Sequence, residues 1–218
     1  MKLAVFSESE ADEAAVRILV DGLLGRETTR PAMPPRRSRG VDSVFATLPV
    51  VIKHLHYQTD CDALAVVVDS NSKPVLVEGG TPDDWHPDSR LQRLSEVVRR
   101  TLDELKPAAH RDQKAVLMLA YGLAVPAVEA WYRLAESSEV SEAAWIAGQE
   151  KSQWPYTTRQ LKHWVYGVED PPFQREREMA ERAARRLVEQ GLGALIAAFP
   201  TGFGTLARQV RGWELVDG

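Results

Sequence analysis

The stretch that most constrains this chain is Ala63-Leu64-Ala65-Val66-Val67-Val68, six apolar residues closed by Asp69. Its β-branched valines and its lack of polar alternation predict a strand buried on both faces, as in a parallel sheet covered on either side by helices. Asp69 then stands at the strand's carboxyl end, the edge at which open α/β sheets bind their ligands. A purely local account is open too, because Asp69, Ser70, Asn71 and Ser72 are all residues that stabilise turns through their own side chains.

The same strand-then-helix pattern recurs on both sides of this run. Residues 2–6 read as a short buried strand, followed by acids and a helix whose apolar positions Ala14, Ala15, Ile18, Leu19 and Leu23 lie at helical spacing before Gly25. Residues 28–40 form a basic, proline-stiffened segment, part edge strand and part loop, and 41–57 an amphipathic helix interrupted by Pro49. After the strand at 63–68, a loop over 70–89 leads to a helix at 91–105; a further strand at 115–121 leads to a helix at 127–136. Alternating units of this kind predict an α/β fold with a mainly parallel sheet of about four strands flanked by helices. Beyond Glu139 no strand pattern is found, and 158–166, 174–190, 192–199 and 202–210 read as helices. The expected organisation is an α/β domain over 1–138 with a helical C-terminal subdomain over 139–218 packed on it.

Three acids fall where this topology brings strand ends together: Glu8, Asp69 with Asn71 beside it, and Glu129 at a helix start. Mg²⁺ and Mn²⁺ take oxygen ligands and keep water, so carboxylates arriving from separate loops suit them. Such a site supports phosphoryl transfer. Acids in a first helical turn also have a structural use against the helix dipole, which applies to Glu10, Asp12, Glu13 and Glu129. Arg30, Arg36, Arg37 and Arg39 are candidate phosphate contacts, although no aromatic residue interleaves them.

The residues Val5-Phe6-Ser7-Glu8-Ser9-Glu10-Ala11-Asp12-Glu13, Val66-Val67-Val68-Asp69-Ser70-Asn71 and Val125-Pro126-Ala127-Val128-Glu129-Ala130-Trp131 together resemble the Toprim-like family of unknown function related to the Toprim domain of OLD-family nucleases. Leu161-Lys162 and Phe203-Gly204-Thr205-Leu206 in the tail are similar as well. The resemblance implies a Toprim fold, Mg²⁺ or Mn²⁺, and phosphodiester hydrolysis on DNA or RNA, as in a phage-defence or mobile-element system. It implies catalytic roles for Glu8, Asp69 and Glu129 and metal ligation by Glu8, Asp12, Asp69, Asn71 and Glu129; nucleic-acid contact is expected of Lys162 and, from their clustering, of the four arginines. Two positions depart from the family pattern: Ser9 stands where glycine is usual, and Asn71 replaces the second aspartate. Asn71 ligates without adding charge, which favours a rival reading of the same fold as a binding module for nucleic acid, nucleotide or a protein partner.

Composition narrows the class further. A net charge of −4 gives no global attraction to nucleic acid, so any such contact must be local. Cys61 is the only cysteine, so no intrachain disulfide forms, and a buried small hydrophobe is a simpler account of it than a thiol paired with His54 or His56. The N-terminus turns acidic before a signal core and no apolar run approaches the roughly 20 residues of a membrane span, so a cytoplasmic location is expected.

Overall fold

A computed structural model describes residues 1–33, 40–107 and 117–213. Strand β1 (Leu3–Phe6) is followed by α1 (Glu10–Leu24) and α2 (Val41–Gln58), then β2 (Ala63–Asp69), α3 (Arg90–Asp103) and β3 (Met118–Ala124). The remainder is helical: α4 (Val128–Leu134), α5 (Glu142–Glu150), α6 (Thr158–Tyr166), α7 (Phe173–Gln190), α8 (Gly193–Ala198) and α9 (Gly202–Gly212). The strands make one parallel sheet in the order β1-β2-β3. The run with no polar alternation is thus the central strand, and its residues Ala63 to Val68 are all inaccessible to solvent.

Among the described residues the sheet has three strands rather than about four. Among its described residues the segment expected to supply an edge strand contributes a single parallel bridge, Lys2 to Thr29, with the Leu3 N–H donating to the Thr29 carbonyl at 2.9 Å. Pro31 removes a donor two residues later, which limits further pairing. Residues 34–39, including Arg36, Arg37 and Arg39, lie outside the described residues, as do 115 and 116 of the third expected strand.

Pro49 does not interrupt α2, which runs through it. Val44, Phe45 and Leu48 before the proline and Val51, Ile52 and Leu55 after it are buried on one face. That shared packing outweighs the one backbone hydrogen bond lost. Helix α5 has no counterpart among the expected elements; Ser141 caps it by accepting from the Ala144 N–H at 3.2 Å.

Adjacent residues of β3 show how the sheet is covered. Tyr121 sends its hydroxyl to Ser95 of α3 at 3.0 Å, whereas the next residue, Gly122, faces Leu206 and Gly202 of α9. Successive strand residues point to opposite faces, so α3 and α9 lie on opposite sides of the sheet. α2 packs with α3, and α1 packs with α7 and α9. α9 also serves the exposed edge of β3, where the Gln209 side chain accepts from the Tyr121 N–H at 2.9 Å. Glu142 of α5 accepts from the Thr201 and Gly202 N–H groups at 3.0 and 2.9 Å and so caps α9.

The α9 to β3 contact is closest at Gly202, where a Cβ would stand 1.9 Å from the Leu123 carbonyl oxygen. At Gly204 the nearest atom would be 3.6 Å away, an ordinary contact. Gly202→Ala is therefore expected to cost about 3 kcal/mol or more, whereas Gly204→Ala gains up to about 1 kcal/mol from helix propensity. Urea midpoints of the two variants check this, and an equal effect at both positions would refute the close approach.

Candidate functional site

Parallel pairing places the ends of β1 and β2 side by side, Phe6 opposite Val66. The chain leaves β1 through Ser7, whose hydroxyl donates to the Val67 carbonyl at 2.8 Å, and reaches Glu8. One Glu8 carboxylate oxygen accepts the backbone N–H of Asp69 at 2.9 Å. The Asp69 side chain in turn accepts the N–H of Val128 at 3.1 Å. Ala127, at the N-cap of α4, offers no side-chain cap, so Asp69 supplies that acceptor from the neighbouring strand. This positions the next residue, Glu129, which is buried.

Asp12 enters from the first turn of α1. Its neighbour Ser9 is the N-cap, accepting from the Asp12 N–H at 3.1 Å and donating its hydroxyl to the Asp12 carboxylate at 2.7 Å. The serine found where the resembled family has glycine is thus a helix cap that also orients an acid of the site.

Glu8, Asp12, Asp69 and Glu129, named from four separate sequence positions, are close enough to act on one another electrically. Burial, followed by the negative charge of Glu129, raises the Asp12 carboxyl from 3.8 to about 8. Burial raises Asp69 well above the usual carboxylate range, with Glu8, Glu129 and Asp12 adding to it. Glu129 is also raised by burial, and the largest opposing influence is the ammonium of Lys162 on α6. Lys162, expected at a nucleic-acid surface, therefore lies beside the acids.

Three contributors carry no sequence signal. Glu176 on α7 acts on Asp12 and Glu129, although its helix reads as a solvated, charge-alternating one. Tyr132 is 2 % exposed, its hydroxyl has no hydrogen-bond partner among the described residues, and the charges of Asp12, Glu129 and Asp69 raise it beyond what burial alone does. Tyr166 is raised by burial and then by Glu129. Only tertiary packing brings α4, α6 and α7 around the end of the sheet.

Asn71 comes after Asp69 in a turn fixed by two backbone bonds to the other strand's exit. The Ser70 N–H donates to the Ala124 carbonyl at 2.7 Å and the Asn71 N–H to the Pro126 carbonyl at 2.8 Å. Its φ of 50° lies in the left-handed region, which asparagine tolerates better than most residues. Turn geometry is thus a sufficient reason for asparagine at this position. Arg30 is exposed near Arg17, whose guanidinium donates to the Leu3 carbonyl at the start of β1, away from the acids at its end.

Among the described residues no group of three or more His, Cys, Asp or Glu side chains is assembled as a metal-ligand set. The donors are nonetheless hard oxygens, and Asp12, Asp69 and Glu129 among them are held at raised proton affinity, chemistry that fits a divalent cation. Comparison of the chain with family models, with curated proteins and with solved structures gives no match. Among the described residues no helix is long and apolar enough to cross a membrane.

The raised carboxyls make stability depend on pH. Between the usual 3.8 and the folded value of about 8 for Asp12, the folded state binds more protons than the unfolded one. Its stability must then fall as pH rises through that window. In EDTA the melting temperature is expected to drop steadily from pH 5 to pH 8, and Asp12→Asn is expected to flatten the drop. A melting temperature that rises across the window would show that these acids are not buried together.

Proposed function

We propose that this chain is a Toprim-like, Mg²⁺- or Mn²⁺-dependent phosphodiesterase acting on DNA or RNA. The supporting observation is the gathering of Glu8, Asp12, Asp69 and Glu129 at the carboxyl edge of a parallel sheet, where their burial raises the proton affinity of at least three of them. A role in a defence or mobile-element system accords with the family resemblance.

When bound, a divalent cation supplies Lewis acidity toward a phosphoryl oxygen and a water of lowered pKa. The residues that would hold it are Glu8, Asp12, Asp69 and Glu129, with the amide oxygen of Asn71 as a neutral addition. Because Asp12, Asp69 and Glu129 hold protons more tightly than usual, binding a cation displaces those protons. Lys162 neutralises part of the negative charge around Glu129 and would do the same for a phosphate.

The second reading is a binding module for nucleic acid, nucleotide or a protein, on the same fold. Asn71 in place of an acid favours it, as does the lack of an assembled ligand set among the described residues.

Asp69→Asn keeps the oxygen that caps α4, so it is expected to fold normally while weakening Mn²⁺ binding by at least about 10-fold and removing cleavage. Asn71→Asp adds a charge and is expected to tighten Mn²⁺ binding. Calorimetric Mn²⁺ titration and incubation with labelled single- and double-stranded DNA and RNA, against EDTA controls, measure both. A wild-type protein that neither binds Mn²⁺ nor cleaves any of the four substrates belongs to the binding-module reading.

A further inference from the structure

One surface carries two half-exposed indoles seated on buried aromatic rings. Trp145 of α5 is buried and stacks under Trp154 with ring centroids 4.4 Å apart and planes tilted by 37°. Tyr156 lies 5.5 Å from Trp145 on one side and 6.2 Å from Trp164 of α6 on the other. The two inner rings are covered, whereas the outer rings, Trp154 and Trp164, remain 41 % and 40 % exposed. Each outer indole is held in place from below. Trp154 sits on a turn that folds tightly over α5, the Gln153 N–H donating to the Gly148 carbonyl at 2.8 Å, and the Tyr156 hydroxyl donates to the Ser141 carbonyl at 3.2 Å.

Both ends of this row connect to the acid site. Arg133 lies one helical turn beyond Glu129 on α4 and places its guanidinium 5.5 Å from the Trp164 ring centroid, while also pairing with Glu136. Lys162, whose charge acts on Glu129, precedes Trp164 by two residues. At the other end, Gln149 of α5 donates to the Ser72 carbonyl at 3.0 Å, in the turn that contains Asn71. Exposed Lys151 lies between Gln149 and Trp154 in the chain.

We propose that Trp154 and Trp164, seated on Trp145 and Tyr156, form a stacking surface for unpaired bases that leads a single strand of nucleic acid to the acid cluster. The inference rests on the proposed nucleic-acid activity and narrows it to single-stranded substrate. Half-exposed indoles, with the Arg133 guanidinium at Trp164 and exposed Lys151 three residues before Trp154 in the chain, offer aromatic surface to bases and positive charge to phosphates. A duplex cannot use them, since its base faces are stacked on one another. DNA and RNA single strands share this chemistry.

Anisotropy of labelled dT and U oligonucleotides and of a blunt hairpin duplex, measured with the full chain in EDTA, tests the surface apart from catalysis. The wild type is expected to bind both single strands more tightly than the duplex. Trp164→Ala and Trp154→Ala should each weaken single-strand binding by about 5- to 100-fold, and Trp164→Tyr should restore most of the loss. The comparison of dT with U identifies the preferred sugar. Equal binding of duplex and single strands, unchanged affinity in both alanine variants, or no binding of either single strand by the wild type would each overturn the proposal. Single-strand binding with the expected losses but no Mn²⁺-dependent cleavage would instead overturn the phosphodiesterase reading and leave the stacking surface standing.

Discussion

Burial of β2 on both faces is the constraint on which the other features depend. A strand that shows no face to water must be flanked by paired strands and covered by two helical layers, and here β1 and β3 pair with it in parallel while α3 and α9 cover opposite faces. Parallel pairing sends all three carboxyl ends to one edge. An acid at the end of the central strand therefore meets the residues just beyond each neighbour: Glu8 after β1, and Val128 with Glu129 after β3. The site is a consequence of topology before it is a consequence of any motif.

The acids are tied to the fold as well as to one another. Asp69 accepts from α4, Glu8 accepts from the Asp69 backbone, and Asp12 is held by the cap of its own helix. These bonds fix the carboxyl groups in a region where burial disfavours their charge, and mutual repulsion adds to that. Glu142 shows the contrasting arrangement: it is equally buried, but its two oxygens are both used to cap α9. Mutual repulsion among several buried acids, opposed at Glu129 chiefly by Lys162, sets the cluster apart from an acid spent on structure.

The C-terminal helices complete the site and extend it. α9 covers an edge strand, α7 brings Glu176, and α6 carries Lys162 toward the acids and Trp164 toward solvent. Their approach depends on close contacts such as Gly202 against the Leu123 carbonyl, where any side chain would intrude.

Short-range rules account for everything that the sequence alone determined. The apolar run of β2, the strand and acids at the N-terminus, and the period of α1, α2, α3, α6, α7 and α9 were legible because burial and helical spacing leave their pattern in consecutive residues. Glu8, Asp12, Asp69 and Glu129 were legible as candidates because each stands next to such an element. Tertiary structure alone decided the rest. Whether 28–33 pairs as a strand depends on the edge it meets, and α2 continues through Pro49 because its two halves share a buried face. Glu176, Tyr166 and the Trp145 to Trp164 row are contributed by helices distant in sequence from the first two strands, and nothing in their local spacing records which neighbour they will face. Periodicity states which side of a helix is buried, and only packing states against what.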